Sequence, residues 1–307
     1  MFELIPYKLR LTRPLHLAGG VLLTFREGLL LHDPETGGRG EAAPLPGFSR
    51  ETLPEVLEAA RRGEWEHPRL PSLRFAADCA RRPVPRLSSP LPVNALWQPA
   101  AESVDQVLLR LQDWRNPVVK IKCVSDEDLA ATRRLLARRA DLRVRLDPNR
   151  QWSLKQTLRA FSRLPPDRLD YFEEPLVHPG GYEALWRQAP VPVALDESLL
   201  EPEGAELSRA PQVAALILKP TLLGGRDVLD RWDFHPRRVI SSCFESGLGL
   251  WHLAALASLS DPAEPCGLDT ARHFAEDTVH PRPLSVAGFL PPNPAGMTCI
   301  SDCGEGD

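Results

Sequence analysis

No stretch of the 307 residues approaches the ~20 consecutive apolar positions that a membrane-spanning helix needs. The opening, MFELIPYKLRLTRPL, lacks the basic head and long apolar run of a secretory signal, so a soluble cytoplasmic protein is the expectation. Neither sign of charge dominates: 37 Lys and Arg stand against 41 Asp and Glu. That balance argues against nucleic acid or a polybasic membrane contact as partner. Cysteine is scattered, at Cys79, Cys123, Cys243, Cys266, Cys299 and Cys303. Cys123, Cys243 and Cys266 sit in or beside apolar runs and read as small core residues. Cys299 and Cys303 form a C-x3-C in a Gly/Asp-rich tail, open to a metal or disulfide role or to none. Low-complexity segments are also missing. Proline is plentiful instead, 32 residues in all with clusters at 83–99, 165–166 and 190–192, which reads as stiff loops between elements.

A chain of this length can bury a large core, in one big domain with an accessory one. Residues 9–17 and 21–31 alternate as a β-hairpin around Gly19 and Gly20. Residues 40–50 are turn-rich, and Ser49 or Thr52 can cap the helix that follows. Residues 72–82 read as a second helix with Ser72 as its cap, and 83–92 as a linker. From residue 92 short apolar strands alternate with helical stretches: 92–97, 118–123, 144–149, 169–175, 191–197, 214–220, 237–243 and 266–269. Helices are expected over 126–140 and over 153–164, the latter capped by Ser153. Strict alternation implies a parallel sheet, and seven or eight units imply a closed barrel. The expected organisation is an α+β domain at 1–91, a (β/α) barrel at 92–270 and a C-terminal segment at 271–307 that packs back on the first domain or stays loose.

Five charged residues punctuate this alternation: Lys122, Asp147, Glu173, Asp196 and Lys219, at intervals of 25, 26, 23 and 23 residues. Each falls near the end of an apolar run (VVKIK, VRLD, YFEEP, VALDE, ALILK), where charge is expensive unless paired or bound to metal. In a barrel, the C-terminal strand ends converge on one site. Three carboxylates from consecutive strands suit a hard divalent cation, Mg2+ with Mn2+ as the alternative. No His or Cys accompanies them, which argues against zinc.

Lys120 and Lys122 stand at i and i+2, so both project to one face of their strand. Their Cα atoms are expected ~6.6 Å apart, and their repulsion, about 2.5 kcal/mol, would bring one lysine down from ~10.4 to roughly 8.5. Lys122 would then serve as a general base. Lys219 stands well around the barrel and would flank a substrate from the other side. Two lysines and a metal suit abstraction of a proton α to a carboxylate, a reaction that needs electrostatic stabilisation of the enediolate.

The K-x-K, D-x-N, EEP, DES and KP strands, in that order, resemble the enolase superfamily, muconate-lactonizing subgroup. Further stretches resemble its o-succinylbenzoate synthase family: GEAAPLPGFSRET (40–52), LPSLRFAADCA (70–80), RLDPNRQW (145–152), LKPTLLG, ISSCFESGLGL (240–250) and GLDT (267–270). The resemblance covers about residues 26–270. It implies an enolase-like fold, a (β/α)7β-type TIM-like barrel with a capping domain. It also implies dehydration of 2-succinyl-6-hydroxy-2,4-cyclohexadiene-1-carboxylate to 2-succinylbenzoate, in menaquinone biosynthesis. On that pattern Lys122 removes the α proton and returns it to the departing hydroxyl on the same face, Lys219 steadies the enediolate, and Asp147, Glu173 and Asp196 hold the metal.

Other assignments stay open at this level. Arg145 shares the face of Asp147 and could meet the succinyl group or a structural ion pair. Asn149, Glu174 and Glu197 look placed to orient ligands or lysines. Ser242, Ser246 and Gly247 could donate to a carboxylate, or simply form a tight turn. The loop around Gly19 and Gly20 matches the region where the family's capping domain closes, and is apolar here. The acidic D-x-D of amino-acid-binding relatives is missing near the eighth strand, where 267–270 reads GLDT, which argues against dipeptide epimerisation. The rival readings are N-acylamino acid racemisation and a non-catalytic barrel that keeps its metal. The expected partner is a small anionic molecule.

Overall fold

Alternation of apolar and polar residues sets the first two strands. β1 (Glu3–His16) buries Tyr7, Leu9, Leu11 and Leu15 and leaves Lys8 and Arg10 outside. β2 (Leu22–His32) pairs with it antiparallel, Ile5 opposite Leu30 and Leu9 opposite Arg26. The computed structural model describes residues 1–17, 20–84, 86–293 and 297–300, so Gly19 of the expected turn lies outside the described residues. β3 (Arg39–Ala42) completes a sheet in the order β1-β2-β3. Two helices, α1 (Leu53–Arg61) and α2 (Pro71–Ala80), bury one face of it through Leu29, Leu31, Val56 and Leu73. A Cβ on Gly40 would stand 1.9 Å from Ala76 O, so only glycine lets α2 press this closely on β3.

The caps follow local chemistry, with one correction. Thr52 and Glu55 form a capping box at the start of α1. Ser49 instead accepts from Leu45 N at 2.8 Å and closes a turn. The expectation that Ser72 caps the second helix fails: Pro71, favoured in a first turn, already opens α2 and puts Ser72 inside it.

The expected strand at 92–97 is split into β4 (Leu91–Pro92) and β5 (Ala95–Trp97). From β5 onward strand and helix alternate. The units are α3 (Val104–Arg110), β6 (Val118–Lys122), α4 (Asp126–Arg138), β7 (Arg143–Asp147), α5 (Leu154–Arg163) and β8 (Leu169–Glu173). There follow α6 (Tyr182–Trp186), β9 (Val193–Leu195), α7 (Gly204–Leu207), β10 (Val213–Leu218), α8 (Pro220–Leu223), α9 (Val228–Arg231), β11 (Arg238–Ile240) and α10 (Gly247–Ser260). Ser103, Ser125 and Ser153 each close a capping box at the head of α3, α4 and α5. The strands β5 to β11 form one parallel sheet in sequence order.

Residues 266 and 267 close the ring. Cys266 N donates to Pro92 O at 3.0 Å and Asn94 N to Cys266 O at 3.0 Å; Gly267 N donates to Ile240 O at 2.9 Å and Ser242 N to Gly267 O at 3.1 Å. Both bridges are parallel, so residues 266 and 267 join the 92–94 segment that leads into β5 to the end of β11, and the eighth strand is reduced to these residues. The fold is α/β: a (β/α)7β-type TIM-like barrel with an α+β cap.

Two features join cap and barrel. α10 is apolar on every side and lies between β11 and β3, as an all-round apolar helix must. Beyond it, β12 (Val279–His280) pairs with β14 (Thr298–Cys299), and β13 (Phe289–Leu290) pairs with β4. Ala275 N donates to Arg10 O at 2.8 Å, so this segment also touches β1. Cys299 is buried; Cys303 lies outside the described residues. Among the described residues no helix is long and apolar enough to cross a membrane.

Candidate active site

Strand register brings the five punctuating charges together. β6, β7 and β8 end on Lys122, Asp147 and Glu173, with Lys122 opposite Asp147. Asp196 and Lys219 directly follow β9 and β10. Asp147, Glu173 and Asp196 are buried, while Lys122 keeps 30% of its side chain exposed. Lys122 Nζ donates to Asp147 Oδ2 at 2.6 Å and to Asn149 Oδ1 at 2.7 Å. Lys120 Nζ lies 2.9 Å from Asp147 Oδ2 and 2.5 Å from Glu173 Oε1. Lys219 is ion-paired with Asp196. Lys120, Lys122, Asp147, Asn149, Asp196, Glu197 and Lys219 line one cavity.

These pairs correct one expectation. Between Lys120 and Lys122, whose repulsion the sequence predicts, lies a carboxylate. Asp147 Oδ2 is shared by both ammonium groups, and its charge offsets their repulsion. Burial opposes the charge on Lys120, but Asp147 and Glu173 outweigh it and hold Lys120 well above the usual lysine range. Burial likewise opposes the charge on Lys219, and Asp196 and Glu197 overcome it, so Lys219 is a firm cation.

The carboxylates divide. Burial pushes Asp147 up, yet Lys120 and Lys122 hold it well below its ordinary value. Burial raises Glu173 to about 7, opposed by Lys120 and reinforced by Asp147 and Asp196. Asp196 rises to about 6, again mainly through burial, against the pull of Lys219. The side chains are turned to lysines: among the described residues no three His, Cys, Asp or Glu side chains are gathered as a ligand cluster. The donor set still fits a hard divalent cation. Three buried carboxylates sit at adjacent strand ends, they feel one another's charge, and every donor is oxygen.

The remaining expected residues separate into three groups. Asn149, with φ 50°, donates its N–H to Asp147 Oδ1 at 2.9 Å and accepts from Lys122, so it aims both. Glu174 Oε1 accepts from Asp196 N and Ser198 N, both at 2.8 Å, and fixes the backbone that carries Asp196. Arg150 and Tyr182 in turn hold Glu174 Oε2. Glu197 lines the cavity, and burial raises its carboxyl. Ser242 lines it too, bonded to Thr270 Oγ1 at 2.9 Å.

Arg145, Ser246 and Gly247 are elsewhere. Arg145 is fully buried behind the site, where it pairs with Asp170 at 2.8 Å and with Glu264, and donates to Asn94 and Pro265 O. Its guanidinium is committed to that network and does not line the cavity. Ser246 bonds Glu41 and Thr278, and Gly247 N donates to Asp277 Oδ1 at 2.6 Å. The head of α10 is thus covered by the cap and the C-terminal segment, which a turn signal in the sequence does not reveal. Sequence reasoning missed the apolar roof of Leu45, Phe48 and Phe244, and Ser241, Asp269 and Thr270 on the wall. The aromatic residue in the turn-rich PLPGFS was the available signal for Phe48.

Comparison with known proteins bears on the family and the fold. Residues 102–297 match the family model described as enolase C-terminal domain-like, and residues 2–84 match that of the MenC N-terminal domain. An o-succinylbenzoate synthase of Edwardsiella ictaluri is 35% identical over 274 residues, covering 81% of this chain and 83% of the relative. An o-succinylbenzoate synthase structure from Thermosynechococcus elongatus BP-1, complexed with Mg in its active site, superposes with TM-score 0.74 at 24% identity, covering 90% of this chain and 94% of that one. A muconate lactonizing enzyme from Pseudomonas fluorescens, complexed with muconolactone, gives TM-score 0.79 at 20% identity, covering 98% and 96%. The two structural likenesses speak to the fold, and the sequence identity reaches further: the chain belongs to the o-succinylbenzoate synthase family of the enolase superfamily.

Proposed function

We propose that Lys122, Lys219 and the carboxylates Asp147, Glu173 and Asp196 carry out the syn dehydration of 2-succinyl-6-hydroxy-2,4-cyclohexadiene-1-carboxylate to 2-succinylbenzoate, in menaquinone biosynthesis. Family membership makes the chain a carbon–oxygen lyase. The observation that carries the residue roles is the placement of two lysines, on β6 and after β10, around one cavity with the three carboxylates on the strand ends between them. The same reading divides the chain into a cap at 1–91, a barrel at 92–270 and a C-terminal segment at 271–307, of which Ala275 bonds to β1 in the cap.

Asp147, Glu173 and Asp196 would hold Mg2+, with Mn2+ as a substitute. When bound, the cation supplies positive charge to the substrate carboxylate and makes its α proton removable. Lys122, aimed by Asp147 and Asn149, takes that proton when it is the neutral amine and becomes the ammonium. The electron pair left on Cα moves into the enediolate and then expels the ring hydroxyl as its C–O bond breaks. Lys122 returns the proton to the departing oxygen, so water leaves and the ring becomes aromatic. Lys219 stays protonated throughout and faces the negative charge as it develops. Leu45, Phe48 and Phe244 keep water from the reacting atoms.

The test is turnover of the cyclohexadiene carboxylate with Mg2+, abolished by EDTA and restored by added Mg2+. A parent protein that forms no 2-succinylbenzoate contradicts the reading. Deuterium incorporation at Cα of an N-acylamino acid, without dehydration, would favour the racemase instead.

A further inference from the structure

Arg26 stands alone as a charged residue on the inward face of β2, in line with Gly28 and Leu30. It is 1% exposed. A buried guanidinium normally faces a carboxylate. All five hydrogen bonds of Arg26 go to backbone carbonyls instead. Nη1 donates to Pro44 O at 2.8 Å and Glu27 O at 3.1 Å, and Nη2 to Ala43 O and, at 3.4 Å, to Cys243 O. Nε donates to Phe244 O at 3.0 Å. One side chain therefore ties the cap segment 43–44 to the barrel segment 243–244.

Both segments lead into the cavity roof. Pro44 precedes Leu45, whose carbonyl accepts from Phe48 N at 3.0 Å and Ser49 N at 2.8 Å in a tight turn. Leu45, Phe48, Cys243 and Phe244 all line the cavity. They pack with Leu17, Leu23, Leu200 and Leu222 as a small apolar cluster, which Leu17, Leu23 and Phe244 join to the main core. Phe244 has φ 58°, a left-handed conformation that is costly for a bulky residue and persists only where its surroundings impose it. The hydrogen bond from Arg26 Nε to its carbonyl is one such imposition.

We infer that Arg26 is a positioning residue that clasps the cap to the barrel mouth and holds Phe244 and the 45–48 turn as the roof over the reacting substrate. Arg26 touches no reacting atom. It acts through the carbonyls it gathers, a task suited to the planar five-donor fork of arginine and not to lysine. The kinetic part of this inference rests on the lyase reading above; the clasp itself does not.

The experiment compares the parent with Arg26→Lys and Arg26→Met. Amide hydrogen exchange, which needs no substrate, is measured across the chain. Faster exchange confined to residues 43–49 and 243–247, with β6 to β9 unchanged, supports the clasp. Unchanged exchange, or acceleration spread evenly over the barrel, overturns it. Arg26→Lys keeps the positive charge and serves if Arg26→Met does not fold. In turnover, KM is expected to rise between about ten- and a hundredfold with a smaller fall in kcat. In a Phe244→Ala background the same Arg26 substitution should add less than about threefold, because the residue it positions is gone. Full multiplication of the two effects, or an unchanged KM, overturns the positioning role. A parent without turnover would sink the lyase reading and leave the exchange result standing.

Discussion

Lys122 Nζ lies 2.6 Å from Asp147 Oδ2, and Lys120 Nζ lies 2.9 Å from the same oxygen. One carboxylate oxygen thus serves both lysines of the K-x-K strand, and it is also a proposed cation ligand. Asp147→Asn removes that charge from all three tasks. Mn2+ binding followed by electron paramagnetic resonance, without substrate, should fall below detection in this variant. Retained binding would move the cation site away from β7.

Glu174 makes no contact with the lysines, yet it holds the backbone N–H groups of Asp196 and Ser198 at 2.8 Å each. Glu174→Gln replaces one acceptor oxygen by a donor or weakens it. Partners that orient metal ligands typically contribute about 10- to 100-fold in affinity, and a loss of that size is expected in a Mn2+ titration. An unchanged titration would reduce Glu174 to a loop fastener.

Arg145 belongs to stability rather than to substrate. Removing one partner from a buried ion pair costs about 3–5 kcal/mol, and Arg145→Met leaves Asp170 and Glu264 with fewer counter-charges. Arg237 still pairs with both, so the lower end of that range is expected in urea denaturation. The KM of the folded fraction should stay at the parent value. A raised KM with unchanged stability would return Arg145 to the substrate.

His252 predicts a pH dependence. It is buried in α10 and donates Nε2–H to Arg39 O at 2.7 Å, with no hydrogen-bond partner for Nδ1. Burial, aided by Arg226, lowers its pKa from 6.5 to about 4. The unfolded chain takes up the proton first as pH falls. The contribution of neutral His252, roughly 3 kcal/mol, is therefore fully present above pH 6.5 and lost as pH falls towards about 4. His252→Gln should flatten part of the stability loss over that window in urea titrations. His273, also lowered to about 4, accounts for a further part of the same sign. A parallel curve for parent and variant would contradict the assignment.

The sequence carried what depends on short range. Strand-end charges at one period, the Thr52 and Ser153 caps and the strand–helix alternation each follow from a few neighbouring residues. The misreadings came from contacts distant in the chain. Ser246 looked free to meet a substrate because nothing nearby announces Glu41, which folds over the head of α10 from 205 residues away. Arg145 looked available because Glu264 reaches it only when the barrel closes. The expected lysine–lysine repulsion treats the two residues as an isolated pair and leaves out Asp147, whose carboxylate lies between them.

The most direct measurement of the central claim is single-turnover dehydration by Lys122→Ala, with Mg2+ present and Mn2+ binding checked alongside. General acid–base groups typically contribute about 10²–10⁴ in rate, and here one lysine is assigned both proton transfers. The account predicts a fall at or beyond the upper end of that range with metal binding retained. A variant that binds Mn2+ and still dehydrates the substrate at a rate close to the parent's would contradict it.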